Sequence, residues 1–131
     1  MNISELQEKL GAQLLCGEDL LDRDVFSACC SDMMSDVLAF VKDQGVLLTG
    51  LLNTQVIRTA NMMDMVCVVF VRGKAPTPEI IELAEECGIV LMRTTLRAYE
   101  ACGILYNAGL GTRTAETGDD PEDAQSAESA E

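Results

Sequence analysis

Apolar positions along this chain recur with two alternating periods. Ile3, Leu6 and Leu10 fall at helical spacing and predict a short helix over 3–10. Leu14-Leu15-Cys16, closed by Gly17, predicts a short strand, and the charged stretch 18–24 a loop. Val25-Phe26-Ser27-Ala28-Cys29 predicts a second strand. Ser31 or Asp32 is placed to cap a helix running to about Asp43, with Met34, Val37, Leu38 and Val41 on one face and Gln44-Gly45 as its stop. Val46–Thr49 predicts a strand, followed by Gly50. Asn53 or Thr54 then caps a helix whose stripe is Val56, Ile57, Ala60 and Met63. Met65 to Val71 is an unbroken, valine-rich apolar run, which suits a central parallel strand covered on both faces. Arg72 to Pro76 reads as a loop. Thr77, with Pro78 at the first helical position, opens a helix that buries Ile80, Ile81 and Ala84 and stops at Gly88. Ile89–Met92 predicts the last strand. Thr94 or Thr95 opens a final helix to about Asn107, terminated by Gly109.

Strand and helix thus alternate four times after an N-terminal helix and strand. This order predicts an α/β fold: a mainly parallel central sheet of about five strands with helices packed on it. The boundary falls after residue 111. From Thr112 the chain holds Ala, Glu, Asp, Ser, Thr and Gly and no large apolar side chain, so 112–131 is expected to be a disordered acidic tail.

Charge narrows the partners. The chain of 131 residues carries a net charge of −13, of which residues 113–131 contribute −6 and residues 1–112 contribute −7. The ordered part is itself acidic and lacks a basic cluster, which argues against nucleic acid and against an anionic membrane surface. No apolar run is long enough to span a bilayer, and the polar start MNISELQEKL is unlike a signal peptide, so a cytoplasmic location is expected. The six cysteines form no CxxC pair and histidine is absent. They read as reduced core thiols, with no metal and no cofactor expected. The vicinal Cys29-Cys30 pair is the one place where a test for redox behaviour is warranted.

In open parallel sheets ligands bind at the carboxyl ends of the strands. The residues just past each predicted strand are Ser31 and Asp32, Thr49 and Gly50, Arg72, Gly73 and Lys74, then Arg93, Thr94 and Thr95. Together with Ser35 on the following helix, and with helix N-termini near Thr54 and Thr95, they form a candidate rim for a small anion. Gly73-Lys74 lacks the upstream glycine and the following Ser or Thr of a phosphate-binding loop. No GxSxG elbow is present, and without histidine the usual general base is missing, so catalysis is not expected. The final helix is apolar nearly all round, from Leu96 to Tyr106, and this predicts a second covering surface, a homodimer contact.

The stretches SDMMSDVLAF, GVLLTG, NTQVIRTANMMDMVCVVFVRGKAPTPEIIELAEECGIVLMRTT and YEACGILYNAGL resemble the DRTGG domain over roughly residues 3–111. The likeness is to the stand-alone form of anaerobic bacteria, often encoded near iron hydrogenase genes. Related domains occur in HPr kinase/phosphorylase and some phosphotransacetylases. The string Asp-Arg-Thr-Gly-Gly is itself absent. Thr49-Gly50 and Val71-Arg72-Gly73-Lys74 stand in the corresponding regions. The resemblance implies an α/β fold with a central sheet and a tendency to associate into oligomers, and it does not imply catalysis. The expected function is a non-catalytic regulatory or interaction domain, homodimeric, in bacterial energy or redox metabolism, with a possible protein partner. The alternative is a sensor for a small anionic metabolite or nucleotide at the strand ends.

Overall fold

The structure is a computed structural model, and it describes residues 1–39 and 43–111. Helix α1, Ile3–Leu10, opens with a reciprocal cap: the Asn2 side chain accepts from the Glu5 N–H and the Glu5 carboxylate accepts from the Asn2 N–H, both at 2.9 Å. Gly11 closes it in the left-handed conformation, and strand β1, Gln13–Cys16, follows. A short 3-10 turn leads to β2, Ser27–Cys30, and α2, Met34–Val37. Then come β3, Gly45–Thr49; α3, Thr54–Met62; β4, Cys67–Phe70; α4, Pro78–Cys87; β5, Val90–Arg93; and α5, Ala98–Asn107. The Asn53 side chain caps α3 at 3.1 Å from the Val56 N–H, and Thr77 with Pro78 starts α4.

The five strands form one sheet in the order β1-β5-β4-β3-β2. β2 to β5 are parallel neighbours and β1 joins the β5 edge antiparallel. The sheet is therefore mixed, with four of its strands parallel. Successive connections of one hand put α2, α3 and α4 on the same face. There Val37, Val56, Ile57, Ala60, Ile80 and Ala84 cover Leu47, Val68, Phe70 and Leu91. On the other face Ile3, Leu6 and Leu10 of α1, with Ala101 and Leu105 of α5, cover Val46, Leu48, Cys67, Val69, Val90 and Met92. The Val-rich run is the central strand, buried on both faces as its lack of alternation requires. Gly17 is obligatory where β1 ends. Its φ is 93°, and a Cβ there would lie 2.9 Å from the Val90 backbone.

Some expectations are corrected. β2 begins at Ser27, two residues later than the apolar run, because Val25 and Phe26 still belong to the connection that pairs with Met1 and Gln44. Neither Ser31 nor Asp32 caps α2: its N-cap is Met33, with no side-chain hydrogen bond, and Asp32 is engaged elsewhere. The described helix ends at Val37, and Val41 lies outside the described residues. Nor does Thr94 or Thr95 open the last helix. α5 begins at Ala98, because residues 94–96 are tied to the loop after β4: the Arg72 N–H donates to the Leu96 carbonyl and the Gly73 N–H to the Thr94 carbonyl, each at 2.7 Å. The acidic tail expected over 112–131 lies outside the described residues.

Candidate functional site

The carboxyl ends of β2, β3 and β4 open on one side of the sheet. Around them lies a hollow of about 330 Å³ lined by Cys30, Asp32, Thr49, Gly50, Val71, Arg72, Arg97, Ala98 and Tyr99. Register decides this meeting. Cys30 pairs with Leu48 and Thr49 with Phe70, so the residues after each strand emerge level with one another.

Asp32 organises the hollow. One carboxylate oxygen accepts from the Gly50 N–H at 2.8 Å and from the Thr49 hydroxyl at 2.9 Å. The Gly50 bond, above all, holds this carboxyl below the usual carboxylate range; Thr49 and the nearby Arg72 and Lys74 charges add to it, against partial desolvation. The Thr49 hydroxyl in turn accepts from the Leu51 N–H at 3.1 Å. From the other side, Lys74 Nζ donates to the Gly50 carbonyl at 2.8 Å. The Arg72 guanidinium lies across Gly50 so closely that an added Cβ would sit 2.6 Å from it. A side chain at position 50 would push that guanidinium aside. Arg72 itself adopts φ 65°, a left-handed conformation costing a non-glycine residue on the order of 1 kcal/mol, and it is held there by the paired loops 72–73 and 94–96.

Among the described residues neither the Arg72 nor the Arg97 guanidinium forms a hydrogen bond or ion pair. Two delocalised cations, with Lys74 beside them, therefore face a solvent-open hollow in a chain of net charge −13. Such a set suits a phosphate or carboxylate, whose paired oxygens match the guanidinium fork.

Of the residues expected at the rim, Asp32, Thr49, Gly50, Arg72 and Lys74 do come together. Gly73 adjoins Thr95, whose methyl lies 3.8 Å from the position of a Gly73 Cβ, but neither lines the hollow. Ser31 closes a local turn, its hydroxyl accepting from the Met33 N–H at 3.0 Å. Ser35 stands exposed on α2, away from the lining. Thr94 is buried and donates to the Leu10 carbonyl at 2.9 Å, a tie between β5 and α1. Arg93 donates to Gln13 across the β1 edge at 2.9 Å. Three further residues line the hollow: Cys30 as the last residue of β2, and Arg97 and Tyr99 because α5 starts later and crosses the opposite face toward β2 and β3. No motif marks them.

A second hollow, of about 500 Å³, lies between α5 and β2, lined by Ala28, Cys30, Cys102, Tyr99, Tyr106 and Leu110 among others. Tyr99 and Tyr106 are 89% and 75% exposed there. Among the described residues no His, Cys, Asp or Glu group is arranged to hold a metal, and no helix is long and apolar enough to cross a membrane.

Nothing among curated proteins matches the chain. Among solved structures it is similar to the CBS and DRTGG domains of the regulatory region of Clostridium perfringens pyrophosphatase, complexed with the activator diadenosine tetraphosphate. Identity is 18% and the TM-score 0.66. The match covers 98% of this chain and 60% of that one, so the likeness concerns the fold. The family model of the DRTGG domain matches residues 5–108, from α1 through α5, and the chain belongs to the DRTGG domain family.

Proposed function

We propose that this chain is a regulatory module that takes a small phosphorylated anion, a nucleotide or a metabolite, in the strand-end hollow and performs no chemistry on it. The observation that carries this reading is the pair of unengaged guanidinia, Arg72 and Arg97, beside Lys74 and the Gly50 backbone. The similar pyrophosphatase region, crystallised with a nucleotide activator, supports a ligand-binding role. A catalytic role has little to work with. Histidine is absent, and the one thiol lining the hollow, Cys30, is pushed up to about 12 by burial and by its sulfur neighbours, which leaves it poorly nucleophilic. A setting in bacterial energy or redox metabolism is the part of the proposal that rests on family resemblance alone.

Thermal shift and calorimetry against inorganic phosphate, acetyl phosphate, AMP, ATP and diadenosine tetraphosphate test the reading. At least one phosphorylated ligand is expected to raise the unfolding midpoint. Arg72→Gly should weaken it about tenfold, roughly 1.4 kcal/mol, because one charged contact is lost. Glycine suits the left-handed backbone, so this variant should fold at least as well as the parent. Lys74→Ala should weaken binding to a similar degree. No midpoint change with any ligand, or binding indifferent to both substitutions, would overturn the proposal.

A second reading is favoured by the outer face of α5. Exposed tyrosines border an apolar hollow there, and a second copy of the chain covering this face would bury both.

A further inference from the structure

Cys29 and Cys30 are neighbours in sequence and strangers in space. Successive residues of β2 point to opposite faces of the sheet. Cys29 is buried beneath the α2–α4 layer. Cys30 turns the other way, toward α5, and shares the apolar hollow with Cys102. There both thiols line one space, and the nearby Cys102 sulfur, after burial, helps push the Cys30 thiol up. Both residues keep solvent access, Cys30 as an exposed residue and Cys102 as a partly exposed one. Cys67, by contrast, is sealed in the core, and Cys16 lies on the other face.

We propose that Cys30 and Cys102 are the redox-active dithiol of this protein, closing to an intramolecular disulfide by exchange with a small-molecule disulfide. One thiol of the pair loses its proton and attacks a sulfur of the reagent, breaking its S–S bond and expelling one thiolate. The second protein thiol then attacks the mixed disulfide and expels the other. Two protein thiols are oxidised to one S–S bond, the reagent is reduced to two thiols, and the two protons released by the protein end on them. Burial and sulfur proximity hold the Cys30 thiol mostly protonated at neutral pH, so closure is slow until the oxidant is in excess.

The position gives closure a consequence. Cys30 also lines the strand-end hollow, two residues before Asp32, and Cys102 sits one turn into α5 beyond Arg97 and Tyr99. A covalent link would pin the start of α5 to the end of β2. The inference stands whether or not that hollow binds an anion.

The test uses the full chain and the Cys29→Ala variant, each incubated with excess oxidised glutathione, alkylated, and digested with trypsin. In the variant, the peptide 24–42, with Cys30 its remaining cysteine, should be joined to the peptide 98–113, which holds Cys102. Reductant should separate them. Cys102→Ser should trap a glutathione adduct on Cys30 with no cross-link. A link from Cys30 to another cysteine overturns the proposal. So does loss of the cross-link in Cys29→Ala, or complete alkylation of both thiols after treatment that oxidises a free dithiol peptide.

Discussion

The Asp32 carboxylate bridges two strand ends that are 17 residues apart in sequence, and it does so in its charged form. A charged acceptor strengthens both hydrogen bonds, and that is why the folded state keeps this carboxyl ionised to lower pH than the unfolded chain does. With a depressed folded pKa, the stabilisation is present above the unfolded value and is lost as pH falls through the folded one. Asp32→Asn keeps an acceptor oxygen and loses the charge. In urea titrations it is expected to be less stable than the parent by about 0.5–1 kcal/mol at pH 7, a small figure because the site is largely open to water. The gap should close as pH falls through the Asp32 transition below the normal carboxylate range. A gap that persists at the acid end would mean the charge plays no part. Residue identity also separates Arg72 from its neighbours, since its left-handed backbone serves placement of the guanidinium over Gly50 at the expense of local strain.

Elements here are tied to one another by few, well-placed polar contacts over two apolar layers. Thr94 is the clearest. Its buried hydroxyl donates to the Leu10 carbonyl at the end of α1 and accepts from the Leu96 N–H at 3.2 Å. It therefore fixes the last turn of α1 to β5 and shapes the strap that delays α5. Thr94→Val preserves the volume and strands both partners. It should cost about 1–3 kcal/mol in denaturant unfolding while leaving ligand affinity within twofold, because Thr94 does not line the hollow. A large affinity loss with little change in stability would return Thr94 to the binding site. The two helices of this face, α1 and α5, pack side by side on the sheet, yet α5 buries only Ala101 and Leu105 fully. Its other side, carrying Tyr99, Cys102 and Tyr106, is left to solvent or to a partner.

For the molecule as a whole, a charge of −13 opposes self-association, whereas the uncovered α5 face favours it. Screening reaches about 8 Å at physiological ionic strength, so added salt weakens the repulsion and leaves the apolar gain intact. Sedimentation equilibrium at micromolar concentration is expected to give a dimer whose fraction rises with salt. Replacing Tyr99 and Tyr106 together by Asp should return it to monomer. A parent protein that stays monomeric at all salt concentrations removes the dimer reading. A net charge of −13 repels anions at long range, so the proposed site must rely on the local cations Arg72, Lys74 and Arg97.

The sequence by itself determined the order of elements and the layers they form. Met65 to Val71 suits a strand buried on both faces, and its central part forms β4; Pro78 after Thr77 marks a helix start; and alternation of the two types points to a mostly parallel sheet. These are local consequences of side-chain period and backbone geometry. It also brought Asp32, Thr49, Gly50, Arg72 and Lys74 to one rim, because parallel neighbours end at the same level. Tertiary structure alone decided the rest. The strap between residues 72–73 and 94–96 moved the start of α5 to Ala98 and so exchanged Thr95 for Arg97 at the rim. Burial assigned Thr94 to structure, and the crossing of α5 over the sheet brought Cys102, 72 residues away, to the hollow that Cys30 also lines. Such pairings depend on where distant segments pack, and no periodicity within a short window carries that information.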